Sequence, residues 1–297
     1  MSPLSEPTRR GVMKWGLGLA GLPVISQAIG TAAAGEEKPV HSKRRSGVTA
    51  SLSSGVSVFY KDEWLGAPWL DSDPVVLLHG NSETNEIWYG WVPQMAQHYR
   101  LLRPDLPGFG DSTAPANFEW SLAGFAKFVA DFLDSLGIRS AHIVGAKTGG
   151  AIAMQFAATY SQRTRSVVVA SGPFTALDPK VGQNPQQIRL GSAATPEEIA
   201  YFDKMRDEMR PETKRQVETM LGSINMDDLL PKISAPTLII TSDQSALQTV
   251  DTVLHYKSKI PNARLLVLRS DAYHVAVANA DECVMNVLAF YKQSVKA

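Results

Sequence analysis

Cysteine is almost absent from this sequence: Cys283 is the single one in 297 residues. That excludes an internal disulfide and a zinc site built on thiolates. Cys283 falls in an apolar helical stretch, where a free thiol packs as a small hydrophobe. The six histidines include no pair at metal-ligand spacing, so no metal is implied, and nothing calls for an organic cofactor. An excess of one charge is also lacking. Lys+Arg and Asp+Glu both number 29, which removes the electrostatic case for nucleic acid or an anionic membrane as partner. Long apolar runs are missing too. The best candidate, Trp15 to Ile29, is interrupted by glycines and falls short of the ~20 residues a membrane span needs. What remains is an ordinary soluble composition, 44% hydrophobic and 20% charged, enough for one large α/β domain or two small ones.

The glycine-broken run at the amino terminus has another use. Thr8-Arg9-Arg10-Gly11-Val12-Met13-Lys14 precedes it and the small residues Thr31-Ala32-Ala33-Ala34 follow it. A charged segment, a short apolar segment and an A-x-A site in that order make a secretory signal peptide, and the paired arginines point to twin-arginine export. Residues 1–34 are therefore expected to be removed, leaving a periplasmic or secreted protein with no stable membrane insertion after cleavage. Residues 35–46 read as a disordered leader.

From residue 47 the chain alternates between strand and helix. Val48–Leu52 and Val56–Tyr60 read as a hairpin around Ser53-Ser54-Gly55. Pro74–Leu78 is a short, continuous apolar run of the kind buried on both faces of a sheet, and Tyr99–Arg103, Ala141–Val144, Ser166–Ala170, Pro236–Thr241 and Arg264–Leu268 read as further strands. Helical periodicity lies between them: Ile87, Trp88, Trp91, Val92 and Met95; then 121–136; 148–160; 247–260; and about 281–291. The pattern predicts an α/β protein with a doubly wound, mostly parallel sheet. Residues 173–235 break the rhythm. They are polar, spaced by prolines and too long for a plain loop. A helical lid inserted over the strand ends accounts for them, with helices near 196–209 and 212–221. The core is then 47–172 with 236–297.

The residues with most to say are His142-Ile143-Val144-Gly145-Ala146-Lys147-Thr148-Gly149-Gly150. An apolar strand enters a turn of small residues and leaves as an Ala-rich helix, the pattern of a nucleophile elbow. Such a turn normally raises Ser, Cys or Asp. Here it raises Lys147. The pair Lys147-Thr148 also suggests a phosphate loop, but Ala146 stands where that loop needs Gly.

Together with Leu77-Leu78-His79-Gly80, Arg103-Pro104-Asp105-Leu106-Pro107-Gly108-Phe109-Gly110-Asp111-Ser112 and Ala272-Tyr273-His274, the elbow makes residues 48–295 resemble the α/β-hydrolase superfamily. The likeness is strongest to its small single-lid esterase, lactonase, haloperoxidase and C–C hydrolase branch. The resemblance implies a nucleophile slot at Lys147, a histidine slot at His274, and oxyanion N–H donors at Asn81 and Thr148. The acid slot counts to Ser245, with Asp243 two positions early, so two of the three triad members are replaced. Glu83, or Glu86, offers a possible partner for Lys147, although an acid at a helix start is more often solvated. His79, Ser82, Trp88 and Phe174 are candidates to line a substrate pocket.

Fold alone does not assign chemistry. A buried lysine at a helix N-terminus loses its proton more easily than a free one. Acylating that amine would give an amide and stall the enzyme. Three uses remain: an imine with a carbonyl substrate, general-base or electrostatic work beside His274, or binding of a carboxylate. The reading that follows is an exported enzyme cleaving a small carbonyl compound (ester, lactone or ketone, by hydrolysis or C–C/C–O cleavage), with Lys147 in place of the serine and His274 as proton shuttle. The alternatives are a ligand-binding or sensing protein that kept the pocket, and a Schiff-base lyase or decarboxylase.

Overall fold

In a computed structural model, the described residues are 45–176 and 185–294. The expected signal peptide and most of the leader lie outside them. Eight strands form one sheet: β1 (Val48–Ser51), β2 (Ser57–Glu63), β3 (Pro74–Leu78), β4 (Arg100–Pro104), β5 (Ala141–Ala146), β6 (Thr164–Ala170), β7 (Thr237–Ser242) and β8 (Ala263–Leu268). Their spatial order is β1-β2-β4-β3-β5-β6-β7-β8. The β1–β2 and β2–β4 pairs are antiparallel and the remaining pairs parallel. This is the doubly wound, mostly parallel sheet that the alternating pattern predicts.

The helices are α1 (Val92–Met95), α2 (Leu122–Ser135), α3 (Thr148–Thr159), α4 (Gln186–Leu190), α5 (Pro196–Asp207), α6 (Pro211–Leu221), α7 (Val250–Lys257), α8 (Val275–Ala278) and α9 (Ala280–Ser294). Two apolar layers form because the central strands bury side chains alternately on both faces. On one side Val76, Leu78 and Ile143 meet Phe125, Phe128 and Phe132 of α2 and Ile152 and Phe156 of α3. On the other, Val75, Leu77 and Val144 meet Trp88, Trp91, Met95 and the α9 residues Val284, Val287 and Tyr291. Each such side chain contributes roughly 1.5–3 kcal/mol when fully buried.

Local chemistry sets the element ends. Ser121 Oγ accepts the Gly124 N–H at 3.0 Å and starts α2. Thr195 and Glu198 close a capping box on α5. Thr249 caps α7, which therefore begins at Val250 rather than Leu247. The helix expected across Ile87–Met95 is split into a 3₁₀ segment, Asn85–Gly90, and short α1, with Pro93 at the restart because proline has no N–H to continue the ladder. β2 runs to Glu63, beyond the expected Tyr60, since Tyr60–Glu63 pair with β4. Helices α5 and α6 occupy the positions expected within residues 173–235, and α4 is an additional one. Among the described residues no helix is long and apolar enough to cross a membrane.

Candidate active site

The site lies past the carboxyl ends of the central strands β3 and β5, where ligands of open α/β sheets bind. β5 ends at Ala146, α3 begins at Thr148, and Lys147 between them has φ 52° and ψ −120°. The turn is this sharp because α3 presses against β3: a Cβ on Gly149 would come within 2.1 Å of the Leu78 carbonyl oxygen. The Lys147 N–H donates to the Ala170 carbonyl at 3.0 Å, and its own carbonyl accepts from Gly150 at 2.9 Å. A side chain held in this backbone region costs of order 1–3 kcal/mol. Of two variants lacking the amine, Lys147→Gly should therefore be more stable than Lys147→Ala by about 1 kcal/mol, which paired denaturant titrations would measure.

Lys147 is 7% exposed and its ammonium donates to Glu83 Oε1. Glu83 sits on the loop after β3, three residues past Gly80, and is 3% exposed. Its Oε2 accepts the Gly80 N–H at 2.8 Å, which folds the loop back on itself. Ser82 takes a left-handed φ of 62° to make that reversal. Gly80 must lack a side chain here, because a Cβ would meet Lys147 Cβ at 2.9 Å and Glu83 Oε2 at 2.8 Å.

His274 closes the group. It precedes α8, it is 1% exposed, and its N–H donates to the Arg189 carbonyl of α4 at 2.7 Å. Its Nε2 stands 2.8 Å from the same Glu83 Oε1, at ion-pair distance but without the alignment of a hydrogen bond. Phe202 of α5 packs edge-on against the imidazole at 5.9 Å. One carboxylate oxygen thus serves both Lys147 and His274.

Electrostatics follow from this burial. Desolvation alone would raise the Glu83 pKa, but His274 and Lys147 outweigh it and hold the carboxyl far below its usual range. Burial pushes the Lys147 ammonium down, Glu83 opposes that, and the Arg189 charge adds to it. Burial likewise lowers His274, again against Glu83. Burial thus disfavours the charged forms of Lys147 and His274, and the Glu83 carboxylate opposes both shifts.

Glu83 and Ser82 also line a cleft of about 330 Å³ with Phe109, Tyr201, Met205 and Met209. Lys147 and His274 are not among the residues lining this cleft. Ser82 Oγ contacts Met209 Sδ at 3.4 Å, and Thr84 Oγ1 contacts Met205 Sδ at 3.9 Å, so the residues after α5 and the end of α5 itself rest on the Glu83 loop. Of the two oxyanion candidates, Thr148 is the first residue of α3 and Asn81 follows Gly80 on the Glu83 loop.

Several sequence candidates lie elsewhere. Ser245 does not orient His274; its Oγ accepts the Leu247 N–H at 3.2 Å in a turn. Asp243 is exposed, with Oδ1 accepting the Ser270 N–H at 3.0 Å. Backbone bonds from Asp243 to Leu268 and from Gln244 to Ser270 tie this turn to the end of β8 and the residues just after it. His79 is fully buried. Its Nδ1 bonds the Gly80 carbonyl at 2.8 Å and its Nε2 accepts the Leu106 N–H at 2.9 Å, so both ring nitrogens are spent on the turn. Trp88 packs edge-on against Trp91 at 4.9 Å in the second apolar layer. Phe174 stacks on Tyr256 in a separate recess with Leu247 and Tyr273. Cys283 is buried, its thiol pushed up to about 12 by desolvation. Glu83 is the reverse case: an acid that reads as solvated is the hub of the site. Arg189 gave no signal at all, lying in a polar stretch without a motif.

Comparison with known proteins agrees with the fold. Residues 73–203 match a family model described as alpha/beta hydrolase fold. The pimeloyl-[acyl-carrier protein] methyl ester esterase of Aeromonas hydrophila is 27% identical over 71% of this chain and 92% of its own length. The 2-hydroxy-6-oxo-2,4-heptadienoate hydrolase of Pseudomonas putida is 31% identical over 33% of this chain and 36% of its own. Among solved structures, the enol-lactonase of Burkholderia xenovorans superposes with a TM-score of 0.72 at 18% identity, covering 82% of this chain and 100% of that one.

Proposed function

Since the chain belongs to the α/β-hydrolase superfamily, and its relatives include a methyl ester esterase and a 2-hydroxy-6-oxo-2,4-heptadienoate hydrolase, we propose that it hydrolyses a small carbonyl compound, an ester or lactone first, without an acyl-enzyme intermediate. The observation that carries this is the single Glu83 oxygen shared by Lys147 and His274. The Glu83 carboxylate favours the protonated amine, and in this reading Lys147 keeps its proton and is not a nucleophile. Lys147 then acts as a fixed positive charge. Water attacks the carbonyl carbon, and the negative oxygen that develops is stabilised by the Lys147 ammonium and by the N–H groups of Asn81 and Thr148. His274, as the neutral imidazole that burial favours, takes the water's proton and passes it to the leaving oxygen. Glu83 stabilises the imidazolium in between, as the carboxylate of a conventional triad does.

One observation favours a second reading, an imine-forming lyase: burial lowers the Lys147 pKa, which eases loss of its proton. We also infer export, on the paired arginines Arg9 and Arg10 and the Ala-rich site after them. The functional test is a panel of activated esters, lactones and ketones. Turnover of at least one is expected, with Lys147→Ala and His274→Ala each losing about 10²–10³-fold. A ligand that binds equally well to one of these variants, with no turnover by the native protein, would favour the binding-protein alternative instead.

A further inference from the structure

We propose that Arg45 is a positioning residue for the active site, holding the Glu83 loop through a partly buried ionic clasp; the inference rests on the reading of Glu83 given above. Arg45 precedes β1, in a run of basic residues expected to be a disordered leader, yet its guanidinium is engaged on every side. Nη1 donates to Asp105 Oδ2 at 2.7 Å, and Nη2 donates to Asn85 Oδ1 at 2.8 Å. Nε lies 3.3 Å from Glu86 Oε1, and Nη1 lies 3.3 Å from Asp111 Oδ2. The guanidinium also covers the Phe59 ring at 5.0 Å.

The significance lies in what Asn85 does. It stands two residues past Glu83 and is fixed at three points. Its N–H donates to Asp105 Oδ1 at 2.8 Å, its carbonyl accepts from Arg103 at 2.9 Å, and its side chain accepts from Arg45. Asp105 is wholly buried, and Arg45 is its cationic partner. Breaking a buried pair by removing one member leaves an uncompensated charge. Without Arg45, the Asp105 carboxylate would lose its cationic partner and draw in water, which weakens its hold on the Asn85 N–H. The loop carrying Glu83 would then open more often, uncovering Lys147. Arg45 touches neither Lys147 nor His274, so it acts only through this loop.

The test measures the loop directly and does not depend on turnover. Native protein and the variants Arg45→Ala, Arg45→Lys and Arg163→Ala would be exposed briefly to acetic anhydride. The rate of Lys147 acetylation would be read by mass spectrometry against exposed Lys127. Arg163, paired with Asp134 away from the site, controls for general loosening. Arg45→Ala should raise the Lys147 rate about tenfold, with Arg45→Lys between it and native protein, and with millimolar guanidinium ion restoring protection to Arg45→Ala. An unchanged Lys147 rate in Arg45→Ala would overturn the proposal, as would an equal rise in Arg163→Ala. If the catalytic reading of Lys147 is wrong, these labelling rates still report on the clasp.

Discussion

Glu83→Gln should abolish turnover, by about 10³-fold or more, while making Lys147 newly reactive. The substitution keeps the shape of the side chain and an acceptor for the Gly80 N–H, but removes the charge shared by Lys147 and His274. A buried ammonium without a counter-ion sheds its proton. Lys147 would then be a neutral amine at pH 7, useless as a fixed charge and open to aldehydes. The stability cost should be about 3 kcal/mol. It should also change the response to acid. The Glu83 pKa is depressed on folding from its ordinary 4.5, so its contribution is fully present above pH 4.5. That contribution falls as the pH drops below this value, because the unfolded chain takes up a proton that the folded one refuses. Denaturant midpoints from pH 7 to pH 3 should show that limb in the native protein, with the Glu83 share of it missing in Glu83→Gln.

The second large effect is non-additivity. Lys147→Met leaves the Glu83 carboxylate buried with only Gly80 and His274 beside it, and should cost about 3 kcal/mol. Combining it with Glu83→Gln removes both charges together, and the double variant should be nearly as stable as either single one. The coupling would be about 2–3 kcal/mol. Turnover should be lost in all three. Simple additivity of the two stability losses would mean that the pair is not a unit in solution.

Much of this could be read from sequence because the relevant residues leave one-dimensional traces. β3 and β5 are continuous apolar runs, and the small residues from Gly145 to Gly150 are what a helix needs to approach β3 so closely. Lys147 and His274 follow from their positions after β5 and β8. Glu83 is different. Nothing in Asn81-Ser82-Glu83-Thr84 tells whether the carboxylate faces water or turns inward. That is decided by the left-handed φ of Ser82 and by the Gly80 N–H, both properties of the folded loop. Counting residues to the acid slot led to Ser245 and Asp243, a turn whose backbone is bonded to the β8 side. The carboxylate beside the histidine, Glu83, lies on another loop. Arg45 was hidden in the same way, since a basic run is usually solvated unless the fold supplies buried acids such as Asp105.

Covalent capture on native protein tests the central claim, that Lys147 is a charge and not a nucleophile. The protein would be incubated with the panel of esters, lactones, aldehydes and ketones, with and without borohydride, and its intact mass and Lys147 peptide recorded alongside product formation. The expected result is product in solution and an unmodified Lys147, with a borohydride-dependent adduct only in Glu83→Gln. A borohydride-dependent adduct on Lys147 of the native protein, formed with a compound that it turns over, would contradict the claim and place the enzyme among imine-forming lyases.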